Sequence, residues 1–318
     1  MLFCALLAAL LAAPAGAQAA VTVGIGENQP RMFSDPNFQR LGVKHARVVA
    51  SWNVMTSGTD EIYRLTTYLE AAQQQGVQPL VTFQHAMGNP QVCRKASKRR
   101  KPQCVLPSAR AFQRNFKLFR QRFPQVKTFA PWNEINHHTQ PTSRNPKAAA
   151  RFTDIARKNC KGCTIVVADL LDQADNTRSK RPTYRKAVSY IRTFRRALKS
   201  PRKICGLHNY SDTNRLRDTG TKVLIKALGC KQIWLTETGG VYSFARFKPS
   251  ASRQLKATKH MFKVARKYRS IKRLYVYSWF GNVNSFDSGL VPYNSSALDG
   301  PGFEGKPRKA YFEVKKRV

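Results

Sequence analysis

Seven glutamates occur in the 318 residues, and two of them stand in similar company: Trp132-Asn133-Glu134-Ile135-Asn136 and Trp234-Leu235-Thr236-Glu237-Thr238. Each follows an apolar, strand-like run and each is flanked by aromatic and amide or hydroxyl side chains. Two carboxyl groups brought face to face suit hydrolysis of a glycosidic bond. One protonates the leaving oxygen while the other attacks the anomeric carbon or activates water. The pair must hold opposite protonation states, so burial and like charge are expected to raise the pKa of one carboxyl while hydrogen bonds keep the other ionised.

Eight runs of β-forming residues supply the frame that would position such a pair: 21–27, 45–52, 78–85, 126–133, 164–171, 203–210, 232–239 and 273–280. Most are continuously apolar, the pattern of strands covered on both faces. Segments with helical spacing lie between them. Ile62, Leu65, Leu69 and Ala72 step by three and four, as do Phe112, Phe116, Phe119 and Phe123, and again Ala257, Met261, Val264 and Tyr268. Eight alternations of strand and helix without a Pro/Gly/Ser linker predict one α/β domain over 21–318, a (β/α)8 TIM barrel with a last helix closing the ring. Such barrels carry their chemistry at the C-terminal ends of the strands, where Glu134 ends the fourth run and Glu237 the seventh. Trp52 and Trp279 end the second and eighth runs, where an aromatic ring can stack on a sugar. Packing is the competing role for both.

On these residues the chain resembles the clan A glycoside hydrolases, cellulase- and mannanase-like or β-xylosidase-like, over nearly all of 21–318. Asn133-Glu134 matches the clan's Asn-Glu at the end of strand four, and Glu237 its strand-seven glutamate. The resemblance implies a retaining O-glycosyl hydrolase acting on a poly- or oligosaccharide, with Glu237 as nucleophile and Glu134 as acid and then base. It further implies that Asn133 binds the sugar 2-hydroxyl and that Arg47 lies buried beside the nucleophile. His85, His208, Tyr210 and Trp279 fall where the clan places sugar-contacting or nucleophile-orienting residues. The clan's common Asn-Glu-Pro is Asn133-Glu134-Ile135 here, and Asn136 is similar to the Trp-Asn-Glu-Pro-Asn version of the β-xylosidase and iduronidase family. The family and the sugar are left open.

Residues 1–20, MLFCALLAALLAAPAGAQAA, carry no charge and have an apolar core too short to span a bilayer, with an Ala17-Gln18-Ala19 cleavage pattern. They read as a secretory signal, and no other stretch is expected to cross a membrane. Six cysteines follow, an even number suited to an oxidising compartment, and sequence-local pairing gives Cys93 with Cys104, Cys160 with Cys163, and Cys205 with Cys230. Cys160-Lys161-Gly162-Cys163 lacks the second close pair that a zinc site needs. No metal or cofactor is expected, and no glycine-rich phosphate-binding motif follows a strand. Adjacent side chains diverge, so His137-His138 reads as a solvated loop. Asp169, Asp172 and Gln84 stand on strand ends without an assigned role.

The 56 Lys and Arg against 17 Asp and Glu give a formal charge of +39, while 42% apolar residues exclude a disordered polycation. Basic clusters at 94–101 and 178–181 fall in loops on the catalytic face, open to an anionic glycan or simply coating the surface. These loops are poor in aromatics, which disfavours nucleic acid. The expected partner is a carbohydrate, met by a monomer. The competing class is a non-catalytic secreted basic barrel that binds carbohydrate or anionic envelope polymer, and the presence of both glutamates argues against it.

Overall fold

Valine, isoleucine and aromatic residues dominate the strands because both of their faces are covered, by the barrel interior on one side and by helices on the other. The computed structural model describes residues 20–87, 104–176, 181–245, 247–282, 286–292 and 306–318. Eight parallel strands close on themselves in chain order: β1 (Thr22–Gly26), β2 (His45–Ser51), β3 (Gln78–Gln84), β4 (Thr128–Ala130), β5 (Thr164–Leu171), β6 (Ile204–His208), β7 (Gln232–Thr238) and β8 (Ile271–Tyr277). This is the (β/α)8 barrel.

Around it run α1 (Pro36–Leu41), α2 (Glu61–Gln74), α3 (Ala109–Arg122), α4 (Pro146–Lys158), α5 (Arg185–Ala197), α6 (Tyr210–Asn214), α7 (Thr219–Leu228), α8 (Ala251–Lys267) and α9 (Lys309–Lys315). The predicted stripes face the sheet. Leu65, Leu69 and Ala72 of α2, Phe112, Phe116 and Phe119 of α3, and Ala257, Met261 and Val264 of α8 are all buried. Phe83 of β3 meets Phe112, Phe116 and Phe119 edge-on. Side-chain caps start several helices: Ser108 accepts from Ala111 N–H, Asn145 from Ala148 N–H and Ser250 from Arg253 N–H. The last helix closes the ring, its Tyr311 hydroxyl donating to Asn37 O at 3.0 Å.

Leu80, Ala130, Val166, Trp234 and Tyr275 fill the barrel's interior. Gly24 of β1 makes room for that filling, since a Cβ there would lie 2.7 Å from the Tyr275 ring and 2.8 Å from His45 O. Overpacking of this kind costs about 1–3 kcal/mol. Gly24→Ala is therefore expected to lower the urea unfolding midpoint at an unchanged m value, and an unchanged midpoint would show that Tyr275 can give way.

Two strand boundaries differ from expectation, and both differences matter for the site. β4 stops at Ala130 and not at 133, because Pro131 has no N–H for the ladder. Beyond it the chain turns across its neighbours. Asn133 N–H donates to Phe83 O at 2.6 Å and Ile135 N–H to Asp169 O at 2.9 Å. β8 ends at Tyr277, after which Leu290 N–H donates to Ser278 O and Val291 N–H to Trp279 O. Residues 278–280 thus pair with 290–291 and leave the barrel wall.

Two expected disulfides are present, Cys160–Cys163 and Cys205–Cys230, with Cα atoms 5.5 and 6.0 Å apart. Cys104 is disulfide-bonded, while Cys93, its expected partner, lies outside the described residues. Residues 1–19 of the expected signal, the basic cluster at 94–101 and all but Arg181 of the cluster at 178–181 also lie outside them. No helix among the described residues is long and apolar enough to cross a membrane.

Candidate active site

The turn after β4 throws Glu134 into the barrel mouth through a left-handed backbone, φ 42°. A residue with a Cβ holds that conformation only where its surroundings impose it, commonly at functional sites. Here the imposing contacts are the backbone hydrogen bonds of Asn133 and Ile135, one to each flanking strand. Glu237 reaches the same mouth from β7, and the two carboxyl groups line one open cavity of about 500 Å3.

Beneath them lies Arg47 of β2, 1% exposed. Its Nη1 donates to Glu237 Oε2 at 2.7 Å, and its Nη2 donates to Asn133 Oδ1 at 2.7 Å and to Asp169 Oδ2 at 3.2 Å. The other oxygen of Glu237 accepts from the Tyr210 hydroxyl at 3.0 Å. Burial, with Glu237 next, raises Tyr210 well above the ordinary phenol range. Glu237 is therefore gripped by two donors that keep their protons at any ordinary pH.

Glu134 has different partners. His208 Nδ1 lies 3.2 Å from its Oε1, and His137 Nδ1 lies 3.3 Å from its Oε2. Burial by itself would raise the Glu134 pKa, but hydrogen bonds from His137 and His208 outweigh it and hold the carboxyl below its usual range. His208 lies between the two acids, its Nδ1 also 3.8 Å from Glu237 Oε2 and its Nε2 3.2 Å from Asp169 Oδ1. Burial disfavours its charged form, yet Asp169 and Glu237 push its pKa up to about 10. Glu134 is thus not the carboxyl raised toward neutrality that an acid was expected to be. The proton rests on the imidazole beside Glu134.

Glu134, Glu237, Asn133, Arg47, His208 and Tyr210 come together as one hydrogen-bonded set. Asn133 turns its carbonyl oxygen to Arg47, which leaves its NH2 to donate elsewhere. Trp279 requires correction. It is wholly buried, its Nε1 donates to Asp35 Oδ2 at 2.9 Å, and its ring packs against Phe38 and Tyr311, so it cannot stack on a sugar. Tyr277, two residues earlier, lines the cavity in its place. Trp52 packs half-buried against the core, and His85 turns its Nδ1 to Ala86 O at 2.6 Å. Neither is among the described residues that line the cavity.

Sequence reasoning missed His137, which lines the cavity and meets Glu134 instead of standing in solvent. It also missed the aromatic wall opposite: Phe286 meets the rings of Tyr210, Phe244 and Tyr277 at 4.9, 5.2 and 6.5 Å. Asp172 lines the cavity too, with a pKa raised to about 7 by burial and by Asp212. Its oxygens are occupied by the N–H groups of Ser211 and Asp212 at 2.9 Å each.

Residues 105–301, more than half of the chain, match the family model described as glycosyl hydrolase catalytic core. The chain belongs to that family. It is a glycoside hydrolase built on a (β/α)8 barrel, and the activity that follows is cleavage of a glycosidic bond in a carbohydrate. Solved structures with the same architecture include the β-glucosidase of Thermotoga maritima in complex with castanospermine, 13% identical with TM-score 0.61, covering 94% of this chain and 97% of that one. The same enzyme in complex with deoxynojirimycin is 14% identical with TM-score 0.60, covering 94% and 98%. Described as a family 1 β-glucosidase, it gives 13% and 0.60 over 94% and 97%. At such identities the likeness concerns the fold. No curated protein sequence matches the hydrolase.

Proposed function

We propose that this hydrolase cleaves O-glycosidic bonds of a poly- or oligosaccharide with retention of configuration, Glu237 attacking the anomeric carbon and Glu134 serving as acid and then base. The asymmetry of the two carboxyl environments carries the reading. Glu237 is held by Arg47 and Tyr210, donors that orient a carboxylate without protonating it, as a nucleophile requires. Glu134 is held by two histidines, side chains whose ring nitrogens can give and take a proton, as an acid/base requires. One imidazole nitrogen lies 3.2 Å from one acid and 3.8 Å from the other. That closeness is compatible with the roughly 5–5.5 Å carboxyl separation of double displacement.

In the first step Glu237 forms the glycosyl ester as the C1–O bond breaks, and the leaving oxygen takes a proton from Glu134. Because Glu134 rests ionised, that proton reaches it from His208 Nδ1, one hydrogen bond away. Water then attacks C1, giving its proton to Glu134 and so back to the pair, and Glu237 leaves as a carboxylate. The NH2 group of Asn133 is placed to donate to the sugar 2-hydroxyl. Anomeric NMR of the first product released from a panel of aryl glycosides and polysaccharides tests the reading. Retention is expected, while inversion, or binding without hydrolysis across the panel, would overturn it.

The aromatic wall of Tyr277, Phe286 and Phe244 offers the apolar face on which a sugar ring packs, and Phe244 is 44% exposed. Phe244→Ala is expected to raise KM about tenfold, the equivalent of about 1.4 kcal/mol, with kcat within about twofold. An unchanged KM would remove the wall from the binding site. The charge-free apolar segment at 1–20 and the disulfides among the described residues support an exported protein. We infer that it acts there as a monomer.

A further inference from the structure

Asp169 is 1% exposed and absent from the described lining of the cavity, yet three features of the barrel are shaped around it. Ala168, just before it, is left-handed at φ 55°, an unfavourable conformation for a residue with a Cβ. The pairing of β5 with β6 slips between Val167 and Leu170, and such a bulge re-aims the side chains it carries. On β6, a Cβ at Gly206 would collide with Asp169 Oδ1, so the carboxylate fills the space where a side chain would stand.

A buried carboxylate persists only when its charge is met. Asp169 Oδ2 accepts from Arg47 Nη2 at 3.2 Å, while Oδ1 faces His208 Nε2 at 3.2 Å and accepts from the Thr236 hydroxyl. Its two charged partners are the groups whose far ends reach the glutamates, Arg47 Nη1 at Glu237 and His208 Nδ1 at Glu134. We propose that Asp169 is a positioning residue: its carboxylate holds the Arg47 guanidinium and the His208 imidazole in the orientations in which each reaches its glutamate.

The groups facing His208 are Asp169 from β5, Glu134 from the turn after β4, Glu237 from β7 and Arg47 Nη2, 3.5 Å from its Nε2. Three anions against one cation favour the imidazolium. Without the Asp169 charge, Arg47 would face Nε2 directly, and the ring would shed the Nε2 proton to accept from the guanidinium. His208 would then lack the spare proton that Glu134 draws on.

The consequence for turnover rests on the reaction proposed above, but the consequence for His208 does not. The test is Asp169→Asn, with the His208 ring resonances, assigned by His208→Gln, followed by NMR from about pH 5 to pH 10. The His208 midpoint is expected to fall by at least about one unit, a tenfold loss of proton affinity. On a glycoside that the unmodified protein turns over, kcat is expected to fall about 100-fold, with KM within about threefold and the alkaline limb of the pH profile following the His208 midpoint. An unchanged midpoint would overturn the proposal, whatever happens to kcat. Absence of glycoside turnover in the unmodified protein would sink the proposed reaction and leave the His208 titration to decide on Asp169. Should Asp169→Asn not fold, Gly206→Ala displaces the same carboxylate without removing a charge, and the same fall in the His208 midpoint is expected.

Discussion

Glu237→Gln is expected to reduce turnover by roughly 10⁴-fold or more while leaving substrate affinity within about threefold. The amide matches the carboxylate in size and can still accept from one of its two donors, Arg47 Nη1 or the Tyr210 hydroxyl. It cannot form a stable glycosyl ester, so double displacement loses its first step. The fold should survive, because Arg47 keeps Asn133 and Asp169 as acceptors and Glu237 meets the solvent of the cavity. Steady-state rates on an activated aryl glycoside, with calorimetric binding of the same compound, separate the two effects. Turnover near that of the unmodified protein would remove Glu237 from the nucleophile's role and return the barrel to the binding class that its charge also allows.

That Glu237 is open to such a test was legible in the sequence, and the reason is compositional. Acids are so scarce in a chain of net charge +39 that a glutamate ending a β-run draws notice. Arg47 was legible only through the resemblance, which places a buried arginine beside the strand-seven glutamate; in the sequence it is a charge inside the apolar run HARVVASW. Asp169 stands in the same way inside TIVVADLL, but a lone buried acid names no partner. Its contacts with β2, β6 and β7 exist only once the barrel closes.

The misreadings have geometric causes. Pro131 cuts β4 short, so the turn that aims Glu134 could not be seen as a turn while 126–133 read as one strand. At β8 the apolar run continues past the barrel wall into a segment paired with 290–291. That moves the mouth back two residues, from Trp279 to Tyr277. His137 was lost to the rule that adjacent side chains diverge. The rule fails here, because the two rings pack edge-on with centroids 4.2 Å apart and His137 turns its Nδ1 toward Glu134. Phe244 and Phe286 sit in connections after β7 and β8, where no periodicity marks an inward face.

Glu134→Ala separates the two halves of the reaction. On unactivated glycosides the loss should be about 10³-fold, because the leaving oxygen must then depart without a proton. On substrates whose leaving group needs no proton, Glu237 can still form the ester, which accumulates because no base activates water. Azide, which needs no base, should enter the space vacated by the carboxylate, attack C1 on that face and release a glycosyl azide of retained configuration. Stereochemistry makes the assignment decisive. Were Glu134 the nucleophile, its removal would open the opposite face and azide would give the inverted product. The histidines sharpen the contrast further. Without Glu134, His208 keeps Asp169 at 3.2 Å and Glu237 at 3.8 Å, so it stays charged near neutrality, although its pKa must fall as one anion leaves. A cation left at the mouth favours entry of an anionic nucleophile. Rescue by azide should therefore weaken as pH rises through the lowered His208 midpoint, whereas rescue by a neutral nucleophile should not.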